Sequence, residues 1–127
     1  MLIYMDSTVT IYLVEQVLPY LPLVEAHINA PGATLAVSDL TRLECRVHPL
    51  MHNDPPRLAQ FDAFFATVQV VDLSSAVFDL ATTIRATYRF ETADSIHIAA
   101  AVEARCDVFL TNDKDLKRFT GIAVEVI

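Results

Sequence analysis

The chain has 127 residues, of which 54% are apolar, and 9 Lys plus Arg against 16 Asp plus Glu give a net charge of −7. Such a length suits one compact domain spanning residues 1–127, and the apolar fraction excludes intrinsic disorder, because about 45–50% already supports an ordinary core. A pI near 4.8 argues against simple electrostatic attachment to nucleic acid. Only Gly32 and Gly121 are available, too few for a P-loop or a dinucleotide fingerprint.

The first strand is predicted over residues 2–5, LIYM. Asp6 interrupts this apolar opening, so no secretory leader is expected, and no apolar run approaches the ~20 residues of a membrane span. Residues 10–29 read as helical, kinked or divided by Pro19 and Pro22. TLAV at 34–37 predicts a second strand, after which Ser38 or Asp39 can cap a helix through Glu44 to about Val47. The proline-rich patch 49–56 reads as one loop, with Pro55 and Pro56 opening a helix that carries Leu58, Phe61, Phe64 and Phe65.

VQVVDL at 68–73 predicts a third strand. A helix then runs from Ser74 to about Tyr88, with Val77, Leu80, Ala81, Ile84 and Tyr88 on one stripe. Thr92 is expected to cap a deeply buried helix to about Ala104, carrying Ile96, Ala99, Ala100 and Val102. VFL at 108–110 and IAVEVI at 122–127 complete five strands. Strands alternating with helices, without hairpin signals, predict a mostly parallel sheet covered on both faces, a three-layer α/β/α domain. Cys45 and Cys106 lack CxxC spacing and read as reduced, buried thiols, consistent with a cytoplasmic protein.

Ligands of open parallel sheets bind beyond the carboxyl ends of the strands. Four acids fall there: Asp6 directly after the first strand, Glu44 one to two turns into the second helix, Asp94 in the first turn of the buried helix, and Asp113 after the fourth strand. Each has an alternative reading. Asp6 and Asp113 can serve as helix caps, Asp94 gains about 0.3–1 kcal/mol from the helix dipole, and Glu44 can pair with Arg42, Arg46 or another base. Together they read as one site. Clustered carboxylates repel and take up protons unless a cation sits among them. An oxygen-only donor set selects Mg²⁺ or Mn²⁺, ions that activate water and stabilise charge on a phosphoryl group.

The four acids supply −4 of the −7, a charge that two divalent ions would offset, which weakens the objection to a nucleic-acid substrate. Arg42, Arg46, Arg89, Lys114, Lys117 and Arg118 lie within five positions of a candidate acid and could meet phosphates, or be ordinary solvated or ion-paired residues. His97 shares a helix face with Asp94 and reads as a packed or hydrogen-bonding histidine. His48 and His52, with Pro49 between them, do not read as a metal pair. The Phe61, Phe64, Phe65 cluster reads as core, with part of it or segment 10–29 available as a dimer or partner surface.

IYMDS, SDLTRLECRV, TADSIHIAAA and FLTNDKDL, in that order, resemble the motifs of PIN domains, and specifically of the VapC toxins of bacterial type II toxin–antitoxin pairs. The resemblance covers essentially the whole chain. It implies a five-stranded parallel sheet in order 3-2-1-4-5, a Mg²⁺- or Mn²⁺-dependent endoribonuclease acting on RNA of the tRNA or ribosomal class, a cognate antitoxin that inhibits it, and a homodimer. It assigns Asp6, Glu44, Asp94 and Asp113 to metal-binding and catalytic positions. Asn112 or Ser7 matches an accessory polar position, Asp115 is a candidate fifth acid, and Arg42, Arg46, Arg89 and Lys114 are candidates for substrate phosphate. Two rival readings are a PIN-like binding module without chemistry and a phosphoacceptor receiver domain. The receiver fits less well, because Asp6 stands alone rather than in an acid pair.

Overall fold

The computed structural model describes all of residues 1–127. In chain order the elements are β1 (Leu2–Met5), α1 (Ser7–Val14), α2 (Leu21–Ile28), β2 (Thr34–Ser38), α3 (Asp39–Met51) and α4 (Pro55–Phe65). They continue with β3 (Gln69–Val71), α5 (Ser75–Tyr88), α6 (Thr92–Glu103), β4 (Val108–Thr111), a 3₁₀ turn (Lys114–Arg118) and β5 (Ala123–Val126). The strands pair in order β3-β2-β1-β4-β5, and every pairing is parallel. This is the predicted order and fold class.

Alternation along the central strands divides the apolar residues between two cores. Tyr4, Ala36 and Phe109 face α5 and α6, where they join Val77, Ala81, Ile84, Ile98 and Ala99. Ile3, Met5, Val37, Val108 and Leu110 point to the other face, against Val9, Val24, Cys45, Phe61 and Phe65. Burial on both faces explains why β1 and β4 read as continuous apolar runs. No helix is long and apolar enough to cross a membrane. Both cysteines are free and buried.

Helix starts follow local chemistry. The Asp6 carboxylate accepts from Val9 N at 3.0 Å, so α1 begins at Ser7, three residues before the predicted start. Ser38 and Thr41 form a reciprocal capping box on α3. α6 begins at Thr92 itself, with Glu91 in the cap position and no side-chain capping bond, so the expected Thr92 cap is not made.

Two expectations about proline need correction. Segment 10–29 is divided at residues 15–20, whereas Pro22 lies inside the first turn of α2, where a missing N–H costs nothing. The patch 49–56 is not one loop. α3 continues through buried Pro49 to Met51, because Pro49 lies near the helix end and its carbonyl is taken by Asp54 N at 2.9 Å. Only residues 52–54 separate α3 from α4, and Asp54 caps the latter through Arg57 N.

Candidate active site

β1 leads to β2 on one side, while β4 pairs with its other side, so the sheet's topological switch point lies between β1 and β4. Asp6 and Thr111 end these strands, and Asp6 N donates to Leu110 O at 3.2 Å. The Thr111 hydroxyl donates to Asp6 Oδ2 while Val9 N donates to Oδ1, which fixes the carboxylate at the mouth of this crevice. Asp6 is therefore both the cap of α1 and a wall of the crevice. Asp94 enters from the first turn of α6, and Asp113 from the turn after β4.

These three acids, with Thr8, Asn112 and Lys114, line a cavity of about 520 Å³ that has no apolar wall residue. Its electrostatics match its composition. Burial raises the Asp6 carboxyl above the ordinary carboxylate range, against the lowering effect of its two hydrogen bonds. Asp94 is pushed up to about 6, first by burial and then by the like charges of Asp113 and Asp6. Lys114 is the one cation on the lining.

Glu44 sits apart from this wall. Its Oε1 accepts from the Ser7 hydroxyl at 2.7 Å and lies 2.6 Å from His97 Nε2. The His97 bond, then the Ser7 bond, hold the Glu44 carboxyl below its ordinary range against the opposing effect of burial. Behind it, His97 Nδ1 meets the hydroxyl of buried Tyr4 at 2.7 Å, and that hydroxyl also bonds Ser38 Oγ at 2.8 Å. His97 is a packed, hydrogen-bonded histidine, as its position on the apolar helix suggests. The Glu44 charge also raises the Asp6 carboxyl, as the smallest of the effects on it.

The remaining candidates separate by geometry. Asn112 lines the cavity and donates from Nδ2 to Tyr12 Oη at 3.0 Å. Ser7 faces Glu44 rather than the cavity. Asp113 also caps the 3₁₀ turn through Asp115 N. Asp115 is turned away onto Arg118, which holds its carboxyl below the usual range. Arg118 also donates to Tyr88 O and lies over Phe90, tying the 3₁₀ turn to the α5–α6 junction.

Arg42 and Arg46 lie two positions to either side of Glu44, a spacing that turns them to the opposite side of α3. There they pair with Asp39 at 2.8 Å and Asp62 at 3.2 Å. Arg89 is exposed and holds the left-handed position that ends α5. Of the four phosphate candidates only Lys114 reaches the cavity wall. Residue patterning missed Thr8, Thr111 and Tyr4. The signal for Tyr4 was available, because a tyrosine in a strand buried on both faces must find a hydroxyl partner.

The donor set fits a hard divalent cation, being made of carboxylate, amide and hydroxyl oxygen without sulfur or imidazole on the cavity wall. No three of the chain's His, Cys, Asp and Glu side chains converge closely enough to enclose an ion alone. That pattern suits an ion that keeps several waters and takes one or two carboxylates plus substrate oxygens.

The sequence model of the PIN domain matches residues 3–122, and the chain belongs to that family. No curated protein matches it. Among solved structures, a chain of VapBC2 from Rickettsia felis bound to a promoter DNA fragment superposes with a TM-score of 0.81 at 16% identity, covering 100% of this chain and 99% of that one. A chain of DNA-bound VapBC from Salmonella typhimurium gives 0.78 at 18% identity, covering 99% and 98%. VapC20 of Mycobacterium tuberculosis, a toxin that cleaves the sarcin–ricin loop, gives 0.75 at 11% identity, covering 95% and 98%. These likenesses are of fold.

Proposed function

We propose that this PIN domain is a divalent-metal-dependent endoribonuclease toxin that acts in the cytoplasm on RNA of the tRNA or ribosomal class and is inhibited by a cognate antitoxin. The observation that carries the reading is that Asp6, Asp94 and Asp113 line one cavity, without an apolar residue in its wall, at the sheet's switch point. Carboxylates pushed toward protonation by burial and mutual repulsion are stabilised as anions by a cation, which gives the cavity a reason to bind one.

One or two of Asp6, Asp94 and Asp113 would hold Mg²⁺ or Mn²⁺ directly and the rest through its waters, with Glu44 as a fourth acid set apart from the cavity wall. When bound, such an ion lowers the pKa of a coordinated water and stabilises charge on a phosphodiester. The chain's own residues do the rest. Thr111 and Val9 N fix the Asp6 carboxylate. Ser7 and His97 fix Glu44. Lys114 offers a cation to a non-bridging phosphate oxygen, and Asn112 a polar edge to the attacking water or the substrate. No side chain need act as a covalent nucleophile.

A protein partner is supported by the outer face of α3. Leu43, Val47, Leu50 and Met51 form an exposed apolar stripe there, with Met51 75% accessible. Such a stripe suits an antitoxin segment or the second subunit of a homodimer.

The deciding experiment is cleavage of purified tRNA and ribosomal RNA with Mn²⁺ or Mg²⁺, beside EDTA and Asp94→Asn controls. Discrete cuts lost in both controls are expected. Folded, antitoxin-free protein that cuts nothing under any condition would leave a PIN-like binding module as the better reading.

A further inference from the structure

Beside the acid cavity lies an aromatic pair that the chemistry above does not use. The rings of Tyr12 and Tyr20 stack with centroids 4.2 Å apart and planes 7° from parallel. Tyr12 is joined to the cavity twice over. It lies one helical turn beyond Thr8 on the same face of α1, and its hydroxyl accepts from Asn112; Thr8 and Asn112 both line the cavity. Tyr20, at the start of α2, is partly exposed and makes no capping hydrogen bond.

The charge distribution gives this pair a task. The chain carries a net charge of −7, and Arg42, Arg46 and Arg118 are committed to Asp39, Asp62 and Asp115. Lys114 alone offers positive charge at the cavity. Beyond Lys114 and a bound cation, affinity for RNA at the cavity gains from contacts that do not depend on charge. Stacking of unpaired bases on aromatic rings is such a contact, and it accepts any base.

Building on the ribonuclease reading, we infer that Tyr20, backed by Tyr12, is a stacking platform for an unpaired nucleobase of the RNA strand whose phosphate lies at the acid cavity. Tyr12 holds the platform in line with the site through Asn112, so a base stacked on Tyr20 and a phosphate at Asp6 belong to the same strand. The consequence for substrate class is direct. The platform accepts a loop, bulge or other single-stranded segment and excludes a base held in a duplex.

The chain has no tryptophan, so Tyr20→Trp introduces a sole indole reporter. Hexa-adenylate titrated in EDTA, where no cleavage occurs, should quench its emission saturably, whereas the same strand in a duplex with hexa-uridylate analogues locked for pairing should not. With metal and a cleavable RNA, Tyr20→Ala should raise KM roughly tenfold with kcat within about twofold, and Tyr20→Phe should behave as wild type. If Tyr20→Ala does not fold, Tyr20→Leu keeps apolar packing without a π face and should show the same KM rise. Absence of quenching together with an unchanged KM, in protein that cuts RNA, would overturn the platform and leave the nuclease reading intact. Quenching in a protein that cuts nothing would support the platform and overturn the nuclease.

Discussion

His97 Nε2 lies 2.6 Å from Glu44 Oε1, and the opposite nitrogen of the same ring meets the Tyr4 hydroxyl at 2.7 Å. A carboxylate only accepts hydrogen bonds, so Nε2 carries the proton of the first contact. The ring thus spans from the sheet to the acid and sets where Glu44 points. His97→Ala removes that donor and strips a buried hydroxyl of one partner, for which a loss of about 1–3 kcal/mol is expected in urea unfolding. If Glu44 serves the metal, Mn²⁺ affinity measured by calorimetric titration should fall about 10–100-fold. His97→Gln retains an N–H and should recover part of it. Unchanged affinity in His97→Ala would detach Glu44 from the metal site.

Glu44 and Asp94 make opposite contributions to acid stability. The folded pKa of Glu44 lies below its ordinary 4.5, so its stabilisation is present above pH 4.5 and is lost as pH falls through the folded value. Asp94 is raised from 3.8 to about 6, so the folded state holds a proton that the unfolded chain has lost across that interval. Its penalty is absent below pH 3.8 and complete above about 6. In EDTA at pH 7.5, Asp94→Asn should therefore be more stable than wild type, by about 1–2 kcal/mol after allowance for solvent screening. The same variant should lose any rise in Tm on adding Mn²⁺. A destabilised Asp94→Asn in EDTA would refute the repulsion argument.

Much of this architecture was legible because parallel sheets expose their logic in sequence. Apolar runs at 2–5 and 108–110 marked strands buried on both faces, and the acids following them sit at the switch point. Asp6, Asp94 and Asp113, which that rule singles out, line one cavity. Glu44 is singled out too, but its side-chain direction is not legible, because a helical position does not reveal that Ser7 and His97 take its Oε1. Arg42 and Arg46 are near Glu44 along the chain but pair with Asp39 and Asp62, since a two-residue offset on a helix turns a side chain to the far face. Pro49 misled in the other direction, because a proline near a helix end deletes one bond and leaves the last turn intact.

The basic residues can be told apart kinetically. Lys114 lines the cavity, whereas Arg42, Arg46 and Arg118 are engaged with acids elsewhere. Lys114→Ala should lower kcat/KM on RNA about tenfold, the scale of a hydrogen bond to a charged group. Arg42→Ala and Arg46→Ala should leave kcat/KM within about twofold and change stability by at most about 1 kcal/mol, as exposed pairs do. Equal losses in all three variants would point to a diffuse basic surface instead of one contact.

Metal binding should itself depend on pH through Asp94. A proton and a divalent ion compete for this carboxylate, whose folded pKa is about 6. Mn²⁺ affinity should be flat above about pH 7 and fall up to about tenfold per pH unit below 6, with protons released on binding at pH 5.5. Titrations in buffers of different ionisation enthalpy measure that release directly. Thr111→Val offers an independent check, because it deletes the hydroxyl that donates to Asp6 and holds that carboxyl down against burial. Its loss raises the Asp6 pKa further, so the fall in affinity should begin at higher pH than in wild type. An affinity independent of pH between 5 and 7 in both proteins would exclude these carboxylates as the metal's ligands.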